Sequence, residues 1–533
     1  MDVACIPFAQ TGYFTPLILD YLDKKEALAP FYEIFPDKEA FKSQIVARQK
    51  QFPGEHREVL HQALLKQYAS VQASKASMAN IDLLKAGNTF TVVTGHQLNL
   101  FTGPLYFLYK IMSVIKLCTA LKAAYPEYNF VPVYWMATED HDFEEINHFT
   151  FKGKKLRWNR NSSGAVGRLD TKGLKAVYDT FIKEMGGGEK AKTLKSLFAG
   201  AYLKHNTLGA ATRYLVNELF GHYGLVIVDG DNASLKRLLV PSMKKDVLEN
   251  LGHQKVSESI EALKEEEESY RIQVNPREIN YFYLKDGMRE RIELRKGKYH
   301  VVNTKLVFSE KDLIGEMEKH PERFSPNVIA RPLYQEIILP NLCYIGGAGE
   351  LAYWLELKAM FDAMEVPFPA LMIRNSVLLI TAKQGRRLDK LNLEVKDLFL
   401  KQNSLINKKI REISNIDIDF SSQRKQLQQQ FEGMYELAGK TDKSFLGAVK
   451  AQEVKQSKGL DHLEKRLLKA QKRKLQDHVK RLADLQNELF PGQGLQERQQ
   501  NFADMYLEMG EELIPMIMDK IQVFPTDFIV LRY

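Results

Sequence analysis

Apolar residues come in short blocks along this chain, and the spacing between them changes from segment to segment. Thr89–Thr94 and Phe130–Met136 are short runs rich in β-branched and aromatic residues, as buried strands should be. Between them, Leu105–Ala124 is long, apolar and nearly free of breakers, which predicts a buried helix. Thr102-Gly103-Pro104 ahead of it offers an N-cap and a proline just inside the first turn. Strand, loop, helix, strand is a βαβ crossover. The loops that leave its strands carry polar residues, and open α/β sheets bind ligands there.

The rest of the chain is read against that unit. Residues 1–88 read as mostly helical. Phe149–Trp158 reads as a hairpin around Gly153, with helices near Leu174–Glu184 and Thr207–Phe220 after it. Leu225–Asp229 is a third buried strand. Tyr281–Val302 alternates around Asp286-Gly287 and Lys296-Gly297, the pattern of a β-meander. Alternation resumes at Ile337–Ile345, followed by a helix from Glu350 to Met364 and the short apolar runs Ala370–Ile373 and Val377–Thr381. Beyond Gly385, leucines from Leu460 to Leu489 recur mostly three or four residues apart, a coiled-coil seam with Ser421–Leu437 as its antiparallel partner. Asn501–Ile521 reads as a helix kinked at Pro515, and Phe528–Leu531 as a strand returning to the core. The expected organisation is an α/β core over 1–384 with insertions at about 150–222 and 252–330. A helical coiled-coil domain over 385–490 and a returning segment over 491–533 complete it.

Composition narrows the classes. The chain has 533 residues, 44% of them hydrophobic, so two or three domains are expected. No apolar run is long enough for a membrane span, and the start shows no basic or apolar leader. The three cysteines, Cys5, Cys118 and Cys343, are far apart, which points to a reducing cytoplasm and away from disulfides or structural zinc. A net charge of +8 suits anionic small substrates as well as nucleic acid.

Four constellations carry candidate chemistry. Gly95-His96-Gln97 with Gly103 follows the first strand, and Tyr106 and Lys110 lie on the next helix. A glycine turn there lets backbone amides approach a phosphate, although ordinary βα turns look the same. Glu139, Asp140, His141 and Asp142 crowd the end of the second strand. They can accept hydrogen bonds from an amine, act as a base, or bind Mg²⁺ through carboxylates. Glu144 and Glu145 fit a solvated helix start. Gly346, Gly347 and Gly349 form a glycine turn that matches neither a P-loop nor GxGxxG. Arg331, Gln335, Arg374 and Asn375 suit recognition of a carboxylate or phosphate.

TGHQLNLFTGPLYFLYK, VPVYWMATEDHDFEEINH, FSPNVIARPLYQEIILPNLCYIGGAGELAYW and MIRNS resemble the BshC family, over nearly the whole chain. That resemblance implies a Rossmann-like core with connective-peptide insertions, similar to class I aminoacyl-tRNA synthetases, and a dimer with a coiled-coil domain. It also implies an amide-forming ligase that adds L-cysteine to the amine of glucosaminyl-malate. On this reading Glu139, Asp140, His141 and Asp142 are catalytic. Gln97, Tyr106, Lys110, Arg331, Gln335, Arg374 and Asn375 bind substrate. Gly95, His96, Gly103, Gly346, Gly347 and Gly349 bind nucleotide. ATP and Mg²⁺ are expected, with no dedicated protein metal site, no membrane and no nucleic-acid partner. Gly95-His96-Gln97 only partly echoes the HIGH motif, and Lys383 is the nearest residue to a missing KMSKS. The alternative is a nucleotide- or tRNA-binding member of that superfamily without ligase activity. A nicotinamide oxidoreductase lacks its fingerprint glycines, and a plain scaffold leaves the acid cluster unexplained.

Overall fold

The computed structural model of the chain describes residues 2–69 and 71–533. Five parallel strands form the central sheet: β1 (Thr89–His96), β2 (Asn129–Met136), β3 (Val226–Asp229), β4 (Asn341–Gly346) and β5 (Ala370–Ile373). They lie side by side in the order β5-β4-β1-β2-β3, the doubly wound Rossmann order. The strand order reverses between β1 and β4, and the crevice at that point is where such sheets hold ligands. Every residue of β1 is buried, as expected of a central parallel strand covered on both faces.

The β1–β2 crossover is helix α1 (Tyr106–Ala124). Val114, Leu117, Cys118 and Leu121 pack with Phe90, Val92, Leu342 and Ile345 in one apolar cluster. Each large side chain buried there contributes about 1.5–3 kcal/mol. The helix start differs from the expected cap. Phe101, Thr102 and Gly103 all have positive φ, and Leu105 is the N-cap without a side-chain bond. Asn501 donates to the carbonyls of Phe101 and Gly103 at 2.7 and 2.5 Å. A Cβ on Gly103 would lie 2.6 Å from Asn99 Cβ, so this glycine answers a packing demand.

Other elements also depart from the pattern. Asp2–Pro7 is a strand, not part of a helical cap; it pairs antiparallel with Asp527–Arg532, which runs parallel to Val377–Ile380. Only Ile6 of that first strand is buried, so no alternation betrays it. The terminal strand therefore joins a second, three-stranded sheet rather than the central one. Arg374-Asn375-Ser376 links β5 to that second sheet. Ile337 and Ile338 end a helix, Ala330–Ile338, and β4 begins only at Asn341. The helix expected over Glu350–Met364 is two, Ala348–Leu355 and Lys358–Ala363. Phe502–Met509 and Leu513–Lys520 are separated at Gly510, whose φ is +70°, while Pro515 is accommodated in the first turn of the second helix.

The first insertion carries the hairpin His148–Phe151 with Lys154–Arg157 and the helices Leu174–Met185, Glu189–Tyr202 and Leu208–Phe220. The second carries a five-stranded antiparallel sheet, in which Phe324–Pro326 pairs with Tyr281–Lys285 beside the meander. Ser421–Ala438 packs against the long helix Lys443–Lys474, with Phe431, Ala438 and Val449 as a small core of their own. The leucine seam is interrupted at Leu475, and Leu463 is 54% exposed, whereas Leu482, Leu485 and Leu489 of the next helix join the main core. Among the described residues no helix is long and apolar enough to cross a membrane.

Asp246 ties helix Ala233–Glu249 to its neighbour by accepting from the Gly252 amide at 2.6 Å. Burial pushes its carboxyl up to about 6. The folded state then holds this proton more tightly than the unfolded chain, so stability falls as pH rises between about 4 and 6, by about 3 kcal/mol. Asp246→Asn should become steadily less destabilising, relative to wild type, across that window in pH-dependent thermal melts.

Candidate active site

A cavity of about 810 Å³ opens at the carboxyl edge of the central sheet, over the β1/β4 switch point. Backbone glycines make room for it. A Cβ on Gly95 would lie 3.4 Å from the Tyr344 hydroxyl and 3.7 Å from Arg331 Nη1. On Gly347 it would lie 3.5 Å from Glu350 Oε2 and 3.7 Å from Arg374 Nε, and on Gly349 3.7 Å from Gln273 Oε1. Gly346 instead packs against Leu351, and Gly103 is spent in the loop before α1, so neither lines the cavity.

At one end stand His96, Tyr106, Lys110, Glu350, Arg374 and Arg498. Lys110 is buried, reaches the Gly95 carbonyl at 2.8 Å and pairs with Glu350 Oε2 at 2.5 Å. Burial pulls its pKa down and the Glu350 charge opposes this. Burial acts upward on Glu350, but Lys110 and the amide of Gly347 outweigh it and hold that carboxyl below its usual range. Tyr344 donates to the other Glu350 oxygen at 2.8 Å. Burial, then Lys110 and Arg374, depress His96 well below the usual imidazole range, so it is neutral, and its Nε2 has no protein partner. Arg374 is clamped by Glu497 at 2.6 Å and by the Asn375 carbonyl at 2.9 Å, while its buried Nε is left without an acceptor. The guanidinium carbons of Arg374 and Arg498 lie 5.0 and 6.0 Å from the Tyr106 ring centroid.

The acid cluster stands at the other end, and its members have separate tasks. Glu139 is buried and ion-paired with Lys236, which also meets Asp231 at 3.4 Å. Burial pushes the Glu139 carboxyl up and Lys236 pulls it down. Asp140 accepts from Gln97 Nε2 at 2.7 Å and from the His141 amide at 2.7 Å. His141 Nδ1 lies 2.7 Å from Arg289 Nη1. A guanidinium can only donate, so Nδ1 is the acceptor and the proton sits on Nε2. Burial and the Arg289 charge keep this imidazole neutral. Asp142 does not line the cavity; it caps the short helix Phe143–Ile146 by accepting from the Glu145 amide.

Two more expected residues stand behind the cavity. Gln335 is fully buried and accepts from Arg331 Nη1 at 3.0 Å, orienting that guanidinium. Asn375 joins Ser113 of α1 to Gln522, which makes it a structural tie. Sequence reasoning missed Arg289, Lys236, Arg277, Glu497 and Arg498. Lys236 sits on the apolar face of its helix beside Leu235, Leu239 and Val240, a signal that was readable. Glu497 and Arg498 lie in a polar stretch with no pattern around them.

The cavity lining holds six cations (Lys110, Arg277, Arg289, Arg331, Arg374, Arg498) and three acids (Glu139, Asp140, Glu350). Each acid already has a protein partner. Arg277, Arg331 and Arg498 have no carboxylate partner among the described residues, so the surplus charge favours an anionic ligand. Among the described residues no three His, Cys, Asp or Glu side chains converge as a metal site. The members of the acid cluster are committed to Lys236, Gln97 and a helix cap.

Residues 1–375 match the family model for the N-terminal Rossmann-like domain of BshC in bacillithiol biosynthesis, and residues 377–533 match that for the BshC C-terminal coiled-coil domain. The chain belongs to the BshC family. Relatives named "Putative cysteine ligase BshC" include one from Flavobacterium johnsoniae, 56% identical over 99% of both chains. One from Christiangramia forsetii is 55% identical over 100% of this chain and 99% of its own. One from Bacillus anthracis is 29% identical over 98% of both. A crystal structure titled "putative arginyl t-RNA synthetase" from Campylobacter jejuni covers 88% of this chain and 99% of its own at 11% identity. Its TM-score of 0.21 carries no argument about this BshC chain.

Proposed function

We propose that this BshC protein joins L-cysteine to the amine of glucosaminyl-malate, with ATP activating the cysteine carboxylate, in the cavity at the switch point. The observation that carries the reading is the division of that cavity. A cationic end with two orphaned buried nitrogens faces an end where a carboxylate and a neutral imidazole stand together. The substrate has the same division, a doubly charged malate and an ammonium to be deprotonated. Arg331, Arg374 and Lys110 suit the carboxylates; Asp140 suits the ammonium.

Bound ATP supplies the leaving group that makes the cysteine acyl carbon electrophilic, and the glycine turns at Gly95, Gly347 and Gly349 leave its phosphates room. The chain itself orients the amine and removes its proton. His141 carries its proton on Nε2 and so donates, which leaves Asp140 to accept one. No cysteine of the protein is needed, since the product's thiol arrives with the substrate. The Rossmann-like core is further read as built on the plan of class I synthetases, without a KMSKS counterpart. The three free thiols suit a reducing cytoplasm.

Calorimetric titration tests the assignment of the cationic end. Glucosaminyl-malate should bind at least about a hundredfold more tightly than methyl glucosaminide, which lacks both carboxylates. Equal affinities would remove the malate from this end.

The protein is further read as a homodimer through its coiled-coil domain. Leu437, Phe445 and Leu463 there are 61%, 49% and 54% exposed, apolar side chains that a second chain would cover. Leu437→Glu with Leu463→Glu should turn a dimer into a monomer in light scattering. A dimer that persists unchanged would place the interface elsewhere.

A further inference from the structure

One wall of the cavity is irregular chain. Between helix Leu251–Glu266 and strand Tyr281–Lys285, residues 267–280 form neither helix nor strand. Four of them, Gln273, Val274, Asn275 and Arg277, line the cavity. The attachments of this segment are few. Among the described residues, the only hydrogen bonds that Arg271–Glu278 makes beyond the segment itself run to one side chain, Glu356. Its Oε1 accepts from the Gln273 amide at 2.8 Å and its Oε2 from the Val274 amide at 3.4 Å. At its far end the segment is held by Asn280, whose side chain accepts from the Arg277 amide at 3.2 Å, donates to the Arg277 carbonyl at 3.0 Å and accepts from Asn327 at 2.9 Å. At its near end Tyr270 donates to Asp20, and between them Val274 and Ile279 are buried and Ile272 packs against the core. Glu356 is itself fully buried, just past the helix that begins at the cavity's glycine turn. A buried carboxylate is costly unless its oxygens are satisfied, and here two amides of the wall satisfy it.

The wall carries Arg277. Its side chain lines the cavity and has no ion-pair partner among the described residues. Resting on the reading that the ligand is a carboxylate-bearing sugar, we propose that Arg277 is a specificity-determining residue that meets a malate carboxylate, and that Glu356 is the positioning residue that hangs this wall in place. Loss of Arg277 removes a charge-assisted contact. Loss of Glu356 leaves the amides of Gln273 and Val274 unpaired and loosens that part of the wall, so Arg277, then held by Asn280 at one end alone, loses its fixed place at the cavity. Both changes weaken capture of the malate-bearing substrate and leave cysteine handling alone.

The test uses the full-length protein and two variants, Arg277→Ala at an exposed position and Glu356→Ala at the buried one, with Glu356→Gln as the conservative control. Amide exchange is followed at Gln273 and Val274, binding of L-malate alone by calorimetry, and KM for each substrate by turnover. Arg277→Ala should weaken L-malate binding about tenfold or more and raise KM for glucosaminyl-malate similarly. KM for cysteine should stay within about twofold, and amide exchange should not change. Glu356→Ala should accelerate exchange at both amides, raise the same KM with kcat little altered, and be partly rescued by Gln. Unchanged L-malate binding in Arg277→Ala overturns the role of Arg277, even if Glu356→Ala fails to fold. Unchanged exchange in a folded Glu356→Ala, or faster exchange with no change in KM, overturns the role of Glu356. Absence of turnover in the wild type, with malate binding intact and sensitive to Arg277, faults the ligase reading and leaves this one standing.

Discussion

Asp140→Asn should lower kcat/KM for cysteine addition ten- to over a hundredfold while the fold survives. The carboxylate stands at the mouth of the β1/β2 loops, where it accepts from Gln97 and from the His141 amide. Its neighbour His141 is fixed as a donor by Arg289, and the adjacent carboxylate of Glu139 is buried in its ion pair with Lys236. An amide keeps the shape and loses both the charge and the basicity. Losing one charge-assisted bond to a substrate ammonium costs about 1.5–3 kcal/mol, and each ~1.4 kcal/mol is a decade in rate. Asp142→Asn is the internal comparison. Its side chain only caps Phe143–Ile146, and Asn caps nearly as well, so its kcat/KM should stay within about threefold. If steady-state kinetics rank the two variants the other way, the acid cluster has been read backwards.

Glu497→Ala should cost about 3–5 kcal/mol of stability, the penalty for stranding one member of a buried ion pair. Arg374 and Glu497 have side chains 4% and 1% exposed and meet at 2.6 Å. The same carboxylate also accepts from the Val377 amide and the Ser376 hydroxyl, so it pins the crossing between the two sheets. Its loss leaves a guanidinium buried beside His96 and Tyr106 with a mobile charge. Denaturant melts should show the loss directly, and Glu497→Gln should fall between wild type and Ala. A change below about 1 kcal/mol in Glu497→Ala would mean that water replaces the carboxylate and that the segment after the coiled coil is not a structural wall of the site.

The parts of this molecule that were readable in advance are those where burial imposes a period. β1, α1 and β2 are continuous apolar blocks because both faces of the sheet are covered, and the meander alternates because one face is wet. The strand Asp2–Pro7 was invisible because one buried residue makes no pattern. Pro515 misled because proline is tolerated in a first turn, and Gly510 is where the backbone turns left-handed. In the site, glycines and acids clustered in sequence drew notice, and the structure brings Gln97, Asp140 and His141 together at one end and Tyr106, Lys110 and Arg374 at the other. Gly103, Gly346, Asn375 and Asp142 lie in or at the edge of the same loops, and Gln335 on the helix Ala330–Ile338, but they turn their side chains or backbone to packing, orientation and capping. Local sequence does not separate a loop residue that faces a cavity from one that faces the core. Arg289, Arg277 and Arg498 come from the second insertion and the C-terminal segment, and only long-range folding brings them to the strand ends.

Mass spectrometry of a reaction containing the purified protein, L-cysteine, glucosaminyl-malate and ATP tests the central claim most directly. The account predicts a product heavier than glucosaminyl-malate by one cysteinyl residue, formed only with ATP present and matched mole for mole by hydrolysed nucleotide. A folded protein that binds both substrates and yields no such product, or that yields it at the same rate without nucleotide, would contradict it.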